Sequence, residues 1–272
     1  MGKRKLDKTA SSDLVSPNPA CEQTISRIIT RKVARELGFE VPSLRWFDTF
    51  RCHKQSKRGG KTKPTNSKKK KMDTNMFESY LEHLWRNISE DKRSSCTYLD
   101  CLWFSLYKKG SDKTKVLMWI RRKDIFSRTY VFVPIVCWHH WSLLILCHFG
   151  GDMQSKTRTP CMLLLDSLEM ANPKRLEPYI RKFVLDIYRS EGREEREKLI
   201  SRIPLLVPKV PQQRNGEECG VFVLYFIKLF LQSAPENFSI FDGYPYFFQM
   251  KENWFDFKGL EKFRRQIYPC GW

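Results

Sequence analysis

The segment Pro211-Gln212-Gln213-Arg214-Asn215-Gly216-Glu217-Glu218-Cys219-Gly220 runs straight into the apolar stretch Val221-Phe222-Val223-Leu224-Tyr225-Phe226-Ile227. A polar turn that gives way to an unbroken apolar run reads as the entry to a buried helix, predicted here over 219–232. Cys219 then stands at the helix N-terminus, where free backbone amides and the helix dipole favour an anion. Thiolate is the nucleophilic form of cysteine, so this is where a reactive thiol belongs. Gly220 has no side chain and lets the backbone approach a bound carbonyl. Taken alone, Cys219-Gly220 reads first as a buried structural thiol beside a small residue.

Upstream, Val131-Phe132-Val133-Pro134-Ile135-Val136-Cys137 and Ser142-Leu143-Leu144-Ile145 flank Trp138-His139-His140-Trp141. The apolar runs predict strands over 130–137 and 142–148. A histidine at a strand start can present its ring at the sheet edge as a general base, although a single core histidine is the commoner case. Further on, the apolar run Met162-Leu163-Leu164-Leu165 ends abruptly in Asp166-Ser167. A carboxylate buried at a strand end needs a partner, and an imidazole N–H is a suitable one. Capping the next turn is the plainer role for that Asp.

Around these segments, strands are predicted at 161–165 and 204–207, and helices at 76–90, 98–109 and 173–188. No Gly-rich phosphate loop or internal repeat interrupts them. Helices before and after a central group of strands predict an α+β fold, with a mixed sheet flanked by helices.

The chain has 272 residues and 41% hydrophobic content, enough for one core plus a tail. No apolar run approaches the roughly 18 residues that span a bilayer, so no membrane contact is expected. Met1-Gly2-Lys3-Arg4-Lys5 is followed by polar residues and lacks the apolar centre of a secretory signal. The nine cysteines include no Cys-x-x-Cys pair, and the histidines are not spaced around them as zinc ligands. The expected setting is reducing and intracellular, with free thiols and no metal.

The net charge of +19 is uneven. Residues 1–75 hold 19 Lys and Arg against 7 Asp and Glu, so +12 of it lies there. This region is expected to be basic and largely disordered, with a solvated helix over 24–37 ended by Gly38. Residues 51–72 read as a linker that contains Lys68-Lys69-Lys70-Lys71. That run and Lys3-Arg4-Lys5 have the form of nuclear import signals, so the nucleus is the expected compartment, with the cytoplasm as the alternative. The same charge predicts weak, nonspecific attraction to nucleic acid. The globular domain is expected over 76–272.

In the order His, Asp, Cys, the segments resemble the ubiquitin-like-protein-specific proteases, which process and remove SUMO and related modifiers. The likeness covers roughly residues 90–265. Val210 to Gly220 is similar to the family's nucleophile motif, Pro-Gln-Gln-x-Asn-Gly-x-Asp-Cys-Gly. Asp124-Ile125-Phe126-Ser127, Val133-Pro134-Ile135 and His140-Trp141 resemble its base region. Leu165-Asp166-Ser167 resembles its Asp-Ser segment.

The resemblance implies a papain-like cysteine protease fold with Cys219 as nucleophile, His140 as base and Asp166 as the acid that orients the base. Gln213 takes the oxyanion role with the Cys219 amide. His139 is set aside because the family's base directly precedes Trp. Trp141 and Tyr98 are the implied walls of a narrow tunnel for a Gly-Gly tail, with Gly220 beside the bound chain. No metal or organic cofactor is implied, and the partners are SUMO or another ubiquitin-like modifier and its conjugates.

Three features depart from the pattern. Tyr98 stands where the family has Trp, Glu218 replaces an Asp, and the loop 149–160 is longer than usual, with substrate contact as one expectation for it. The competing readings are a protease for a different modifier, an inactive nuclear binder of modified proteins, and a nucleic-acid-binding protein that rests on charge alone.

Overall fold

Five strands carry the centre of the fold: Cys96–Tyr98 (β1), Tyr130–Cys137 (β2), His140–Cys147 (β3), Cys161–Leu165 (β4) and Leu205–Leu206 (β5). Among the described residues they form one sheet in chain order. The outer pairs β1–β2 and β4–β5 are parallel, and β2–β3 and β3–β4 are antiparallel. The computed structural model describes residues 71–268, apart from 111, 156, 169–171, 194, 196 and 235–251. The helix expected over 24–37 and the basic clusters Lys3-Arg4-Lys5 and Lys68-Lys69-Lys70 lie outside the described residues.

The helices are Thr74–Arg86 (α1), Glu90–Ser95 (α2), Trp103–Lys109 (α3), Lys113–Arg121 (α4), Glu177–Ser190 (α5), Glu197–Ile200 (α6), Cys219–Ser233 (α7) and Phe257–Ile267 (α8). Helix α7 lies on β3, with α1 and α8 packed against α7. Helix α3 covers β2, joined by α4 and α5. Side chains alternate across a strand. Phe132, Leu143, Ile145, Leu163 and Leu165 therefore join the α7 core, while Val131, Val133, Leu144, Leu146 and Leu164 are buried on the other face. Burial on both faces is why β2, β3 and β4 read as continuous apolar runs rather than alternating ones.

Pairing sets what meets what. Cys137 pairs with His140 across a two-residue turn, so His140 opens β3 at one end of the sheet. Leu143 pairs with Leu165. One step further along the antiparallel ladder, Asp166 arrives beside Ser142, at the same end as His140.

The strands at 130–137 and 161–165 and the helix from Cys219 match their sequence reading closely. The expected helix 98–109 does not begin until Trp103. Residues 96–98 instead pair with β2. The turn that follows is held by the Asp100 carboxylate, which accepts the Leu102 N–H at 2.9 Å, and by Glu78, which accepts the Cys101 N–H at 2.6 Å. Sheet pairing outweighs local helix preference there. Helices α4 and α8 were missed, although Val116, Trp119 and Ile120, and Leu260, Phe263 and Ile267, lie buried at helical spacing.

The loop 149–160 joins the far ends of β3 and β4. At about 3.3 Å per residue, the length of β3 separates it from His140 by roughly 20 Å. Its turns close on themselves, with the Thr159 hydroxyl donating to the Ser155 carbonyl and the Ser155 N–H to Asp152. This placement sets the loop away from His140, so any substrate contact it makes would be with parts distant from the reacting bond.

The core on the α7 side is aromatic. Phe226 is fully buried and stacks on Trp254 with centroids 5.7 Å apart. Phe226→Ala is expected to destabilise the fold by about 3–5 kcal/mol, measured by chemical denaturation.

Candidate active site

His140 and Asp166 meet across β3 and β4. The His140 Nε2 lies 2.7 Å from Asp166 Oδ1. The carboxylate is buried, and burial is tolerable because every available donor is used. The Ser142 hydroxyl donates to Oδ2 at 2.7 Å and the Leu168 N–H to Oδ1 at 2.8 Å. Ser142 follows His140 by two residues on the same strand, so both side chains leave the same face. Nothing in the sequence pattern gives Ser142 a role, and the strand register brings it to the acid.

With Nε2 bound to Asp166, the other ring nitrogen is left for the nucleophile. The Cys219 thiol lies near enough to the His140 ring to act on its protonation, beside the Asp166 hydrogen bond. Burial works against a charged ring, but the hydrogen bonds and charges of Asp166 and Cys219 outweigh it and lift the His140 pKa to about 9. The ring is thereby suited to take up the thiol proton, the step that makes sulfur a nucleophile. His139 is exposed and takes no part in this contact.

Cys219 is the first residue of α7, as the sequence predicted. The residue before it, Glu218, pairs with Arg264 of α8 at 3.1 Å. A cation on that carboxylate reduces repulsion of a thiolate next to it. Arg264 was not foreseen, because nothing in the sequence brings 218 and 264 together.

Gln213, the implied oxyanion donor, is positioned by a second serine. The Ser167 hydroxyl donates to Gln213 Oε1 at 2.7 Å, and the Gln213 N–H donates to the Ser167 carbonyl at 2.8 Å. These two bonds tie the loop before α7 to the end of β4. The Gln213 amide nitrogen also donates to the Asn215 carbonyl. An amide nitrogen carries two hydrogens, so one remains for a substrate oxyanion.

The three implied substrate contacts all take part in packing. Trp141 is buried and stacks on Phe77 of α1, with centroids 4.1 Å apart. Tyr98 lies beside Phe132, whereas Trp141 lies beside Val136, four residues along β2. That spacing is roughly 13 Å, so the two rings do not face each other as tunnel walls. Tyr98 packs on Trp85 instead, at 4.9 Å. Gly220 is needed for packing: a Cβ there would come within 3.0 Å of the Met72 sulfur. Its lack of a side chain admits Met72 to the core.

Residues 52–258 match the family described as Ulp1 protease family, C-terminal catalytic domain. The probable ubiquitin-like-specific protease 2A of Arabidopsis thaliana is 29% identical over 212 residues, covering 71% of this chain and 27% of that protein. Its 2B counterpart is 31% identical over 151 residues, covering 52% of this chain and 16% of that protein. Sentrin-specific protease 7 of Mus musculus is 25% identical over 179 residues, covering 46% and 17%. The match thus spans about a quarter or less of each of these relatives. A crystal structure of a de-sumoylating protease superposes with a TM-score of 0.52 at 19% identity, covering 71% of this chain and 75% of that one. That likeness is one of fold.

The raised His140 pKa fixes the sign of the pH dependence. Because the proton is held in the folded state, its contribution to stability is complete below the ordinary value of 6.5 and is lost as pH rises through about 9. The alkaline limb of kcat/KM is expected near pH 9. Asp166→Asn removes the charge that holds the proton, so a pH–rate profile should show the limb moved toward neutrality. The same variant should lose about 10²- to 10⁴-fold in kcat.

Gln213→Ala is expected to cost about 10²- to 10³-fold in kcat. Ser167→Ala, which only frees the Gln213 amide, should cost about tenfold with KM unchanged, and Ser167→Thr should restore activity. Steady-state kinetics of the three variants separates donor from positioner.

Proposed function

The chain belongs to the Ulp1 protease family, and from that premise we propose that it is a cysteine protease that cuts after the C-terminal Gly-Gly of a ubiquitin-like modifier. The modifier in this proposal is SUMO, and the bond is a peptide bond in its precursor or an isopeptide bond to lysine in its conjugates. The observation that carries the proposal is the His140 ring held between the Asp166 carboxylate and the Cys219 thiol.

The steps follow from that contact. The Cys219 sulfur attacks the glycine carbonyl, and negative charge develops on its oxygen. The Cys219 backbone N–H at the start of α7 and the remaining Gln213 N–H stabilise that charge. His140 gives its proton to the leaving amine, and an acyl-enzyme remains. Water, deprotonated by His140, then releases the modifier. Asp166, held by Ser142 and the Leu168 N–H, keeps the imidazole oriented through both steps.

The relatives named as ubiquitin-like-specific and sentrin-specific proteases support the choice of modifier. Residence in the nucleus is part of the proposal, supported by Lys3-Arg4-Lys5 and Lys68-Lys69-Lys70-Lys71. The same basic region supports weak nonspecific contact with nucleic acid.

The test uses SUMO, ubiquitin and other ubiquitin-like proteins that carry a C-terminal thiol-reactive group. A covalent adduct with SUMO, absent from Cys219→Ala, is the expected result. An adduct only with another modifier keeps the mechanism and replaces the substrate. Folded protein that forms no adduct with any probe overturns the protease reading in favour of an inactive binder.

A further inference from the structure

The turn between β2 and β3 carries an exposed aromatic that the triad does not use. Trp138 is 46% exposed and Tyr179 of α5 is 41% exposed, with ring centroids 6.4 Å apart. The Lys108 ammonium lies over both rings, 4.4 Å from the Trp138 centroid and 4.5 Å from that of Tyr179. The Arg175 guanidinium lies over Trp138 at 4.2 Å. Among the described residues, neither Lys108 nor Arg175 has a carboxylate within ion-pair distance. Helix α3, the β2–β3 turn, the segment before α5 and α5 itself thus bring two cations onto two exposed rings.

The backbone also departs from what these residues prefer. Trp138 and His139 both have positive φ, 53° and 61°. A two-residue turn with both residues in this region is ordinarily built from Asn-Gly or a similar pair. A Trp held there is a strained choice, and strain of this kind concentrates at functional sites.

We propose that Trp138, Tyr179, Lys108 and Arg175 form a docking surface for an acidic segment of the polypeptide on the leaving-group side of the scissile bond. This rests on the protease reading above. Two peptide units separate Trp138 from His140, so their Cα atoms are at most about 7.6 Å apart. His140 must hand its proton to the leaving amine, so the chain attached to that amine passes on the imidazole side of the site. The patch stands at that side. Charge complementarity selects the occupant. The ring faces are taken by the cations, which disfavours stacked bases. A guanidinium lying flat on a ring still offers its N–H edge to a carboxylate in bidentate fashion. The surface therefore reads Asp and Glu a few residues from the cut bond.

The test compares three substrates of the active modifier: one with Glu and Asp in the first six residues after the scissile bond, one with Gln and Asn there, and one with only a fluorogenic amide. In low salt the acidic substrate is expected to have about a three- to tenfold advantage in kcat/KM over the neutral one. That advantage should vanish in the Lys108→Gln, Arg175→Gln double variant and in about 0.5 M salt. The fluorogenic amide should be cut equally by both chains. Equal cleavage of acidic and neutral substrates by the native chain, or an undiminished advantage in the double variant, overturns the proposal.

If no modifier is cut, the protease reading fails by itself. The docking surface is then decided by anisotropy of labelled peptides on the Cys219→Ala chain. Tighter binding of the acidic peptide than of its Gln and Asn counterpart, lost with the two cations, supports it. Equal binding overturns it, as does a single-stranded oligonucleotide that binds more tightly than the peptide through the same two cations.

Discussion

The antiparallel register of β3 against β4 is the constraint on which the site depends. It fixes His140 and Asp166 at one end of the sheet and lets Nε2 and Oδ1 approach to 2.7 Å. A slip of one residue would send the Asp166 or the His140 side chain to the opposite face. Such a slip would also turn Leu143, Ile145, Leu163 and Leu165 away from α7, so the hydrophobic core enforces the catalytic pair. The chemistry of this site is held by packing well away from it.

A buried carboxylate and a raised imidazole pKa are two aspects of one arrangement. The Asp166 carboxylate is accommodated inside the protein because Ser142, Leu168 and His140 all hydrogen-bond to it. Its charge in turn keeps the proton on His140 against the cost of burial. Ser167 performs a parallel task on Gln213, one residue along the chain from Asp166. Neighbouring serines and amides thus orient the groups proposed to carry the reaction, and the end of β4 holds both Asp166 and the serine that anchors Gln213.

Helix α7 completes the site from the other side of the core. Its apolar length sits on β3, and its first residue is Cys219, the proposed nucleophile. Met72 fills the space that Gly220 leaves, so the chain entering the domain packs against the start of the catalytic helix. Arg264 neutralises Glu218 from α8. Elements distant in sequence therefore converge on one helix N-terminus, where an anion is favoured.

The sequence by itself determined the central strands, the start of α7 and the candidate site residues. Continuous apolar runs mark doubly buried strands, the polar-to-apolar step marks the start of α7, and His140, Asp166 and Cys219 stand at the ends of those elements. These are local signals, carried by periodicity and by residue type. What the tertiary structure decided is what those ends meet. It gave Ser142 and Ser167 their roles and paired Arg264 with Glu218. It took Tyr98 into β1, away from Trp141, and set the loop 149–160 at the far end of the sheet. Each of these depends on strand register or on helices packed across long separations in the chain, and a one-dimensional pattern of polar and apolar residues carries no measure of that distance.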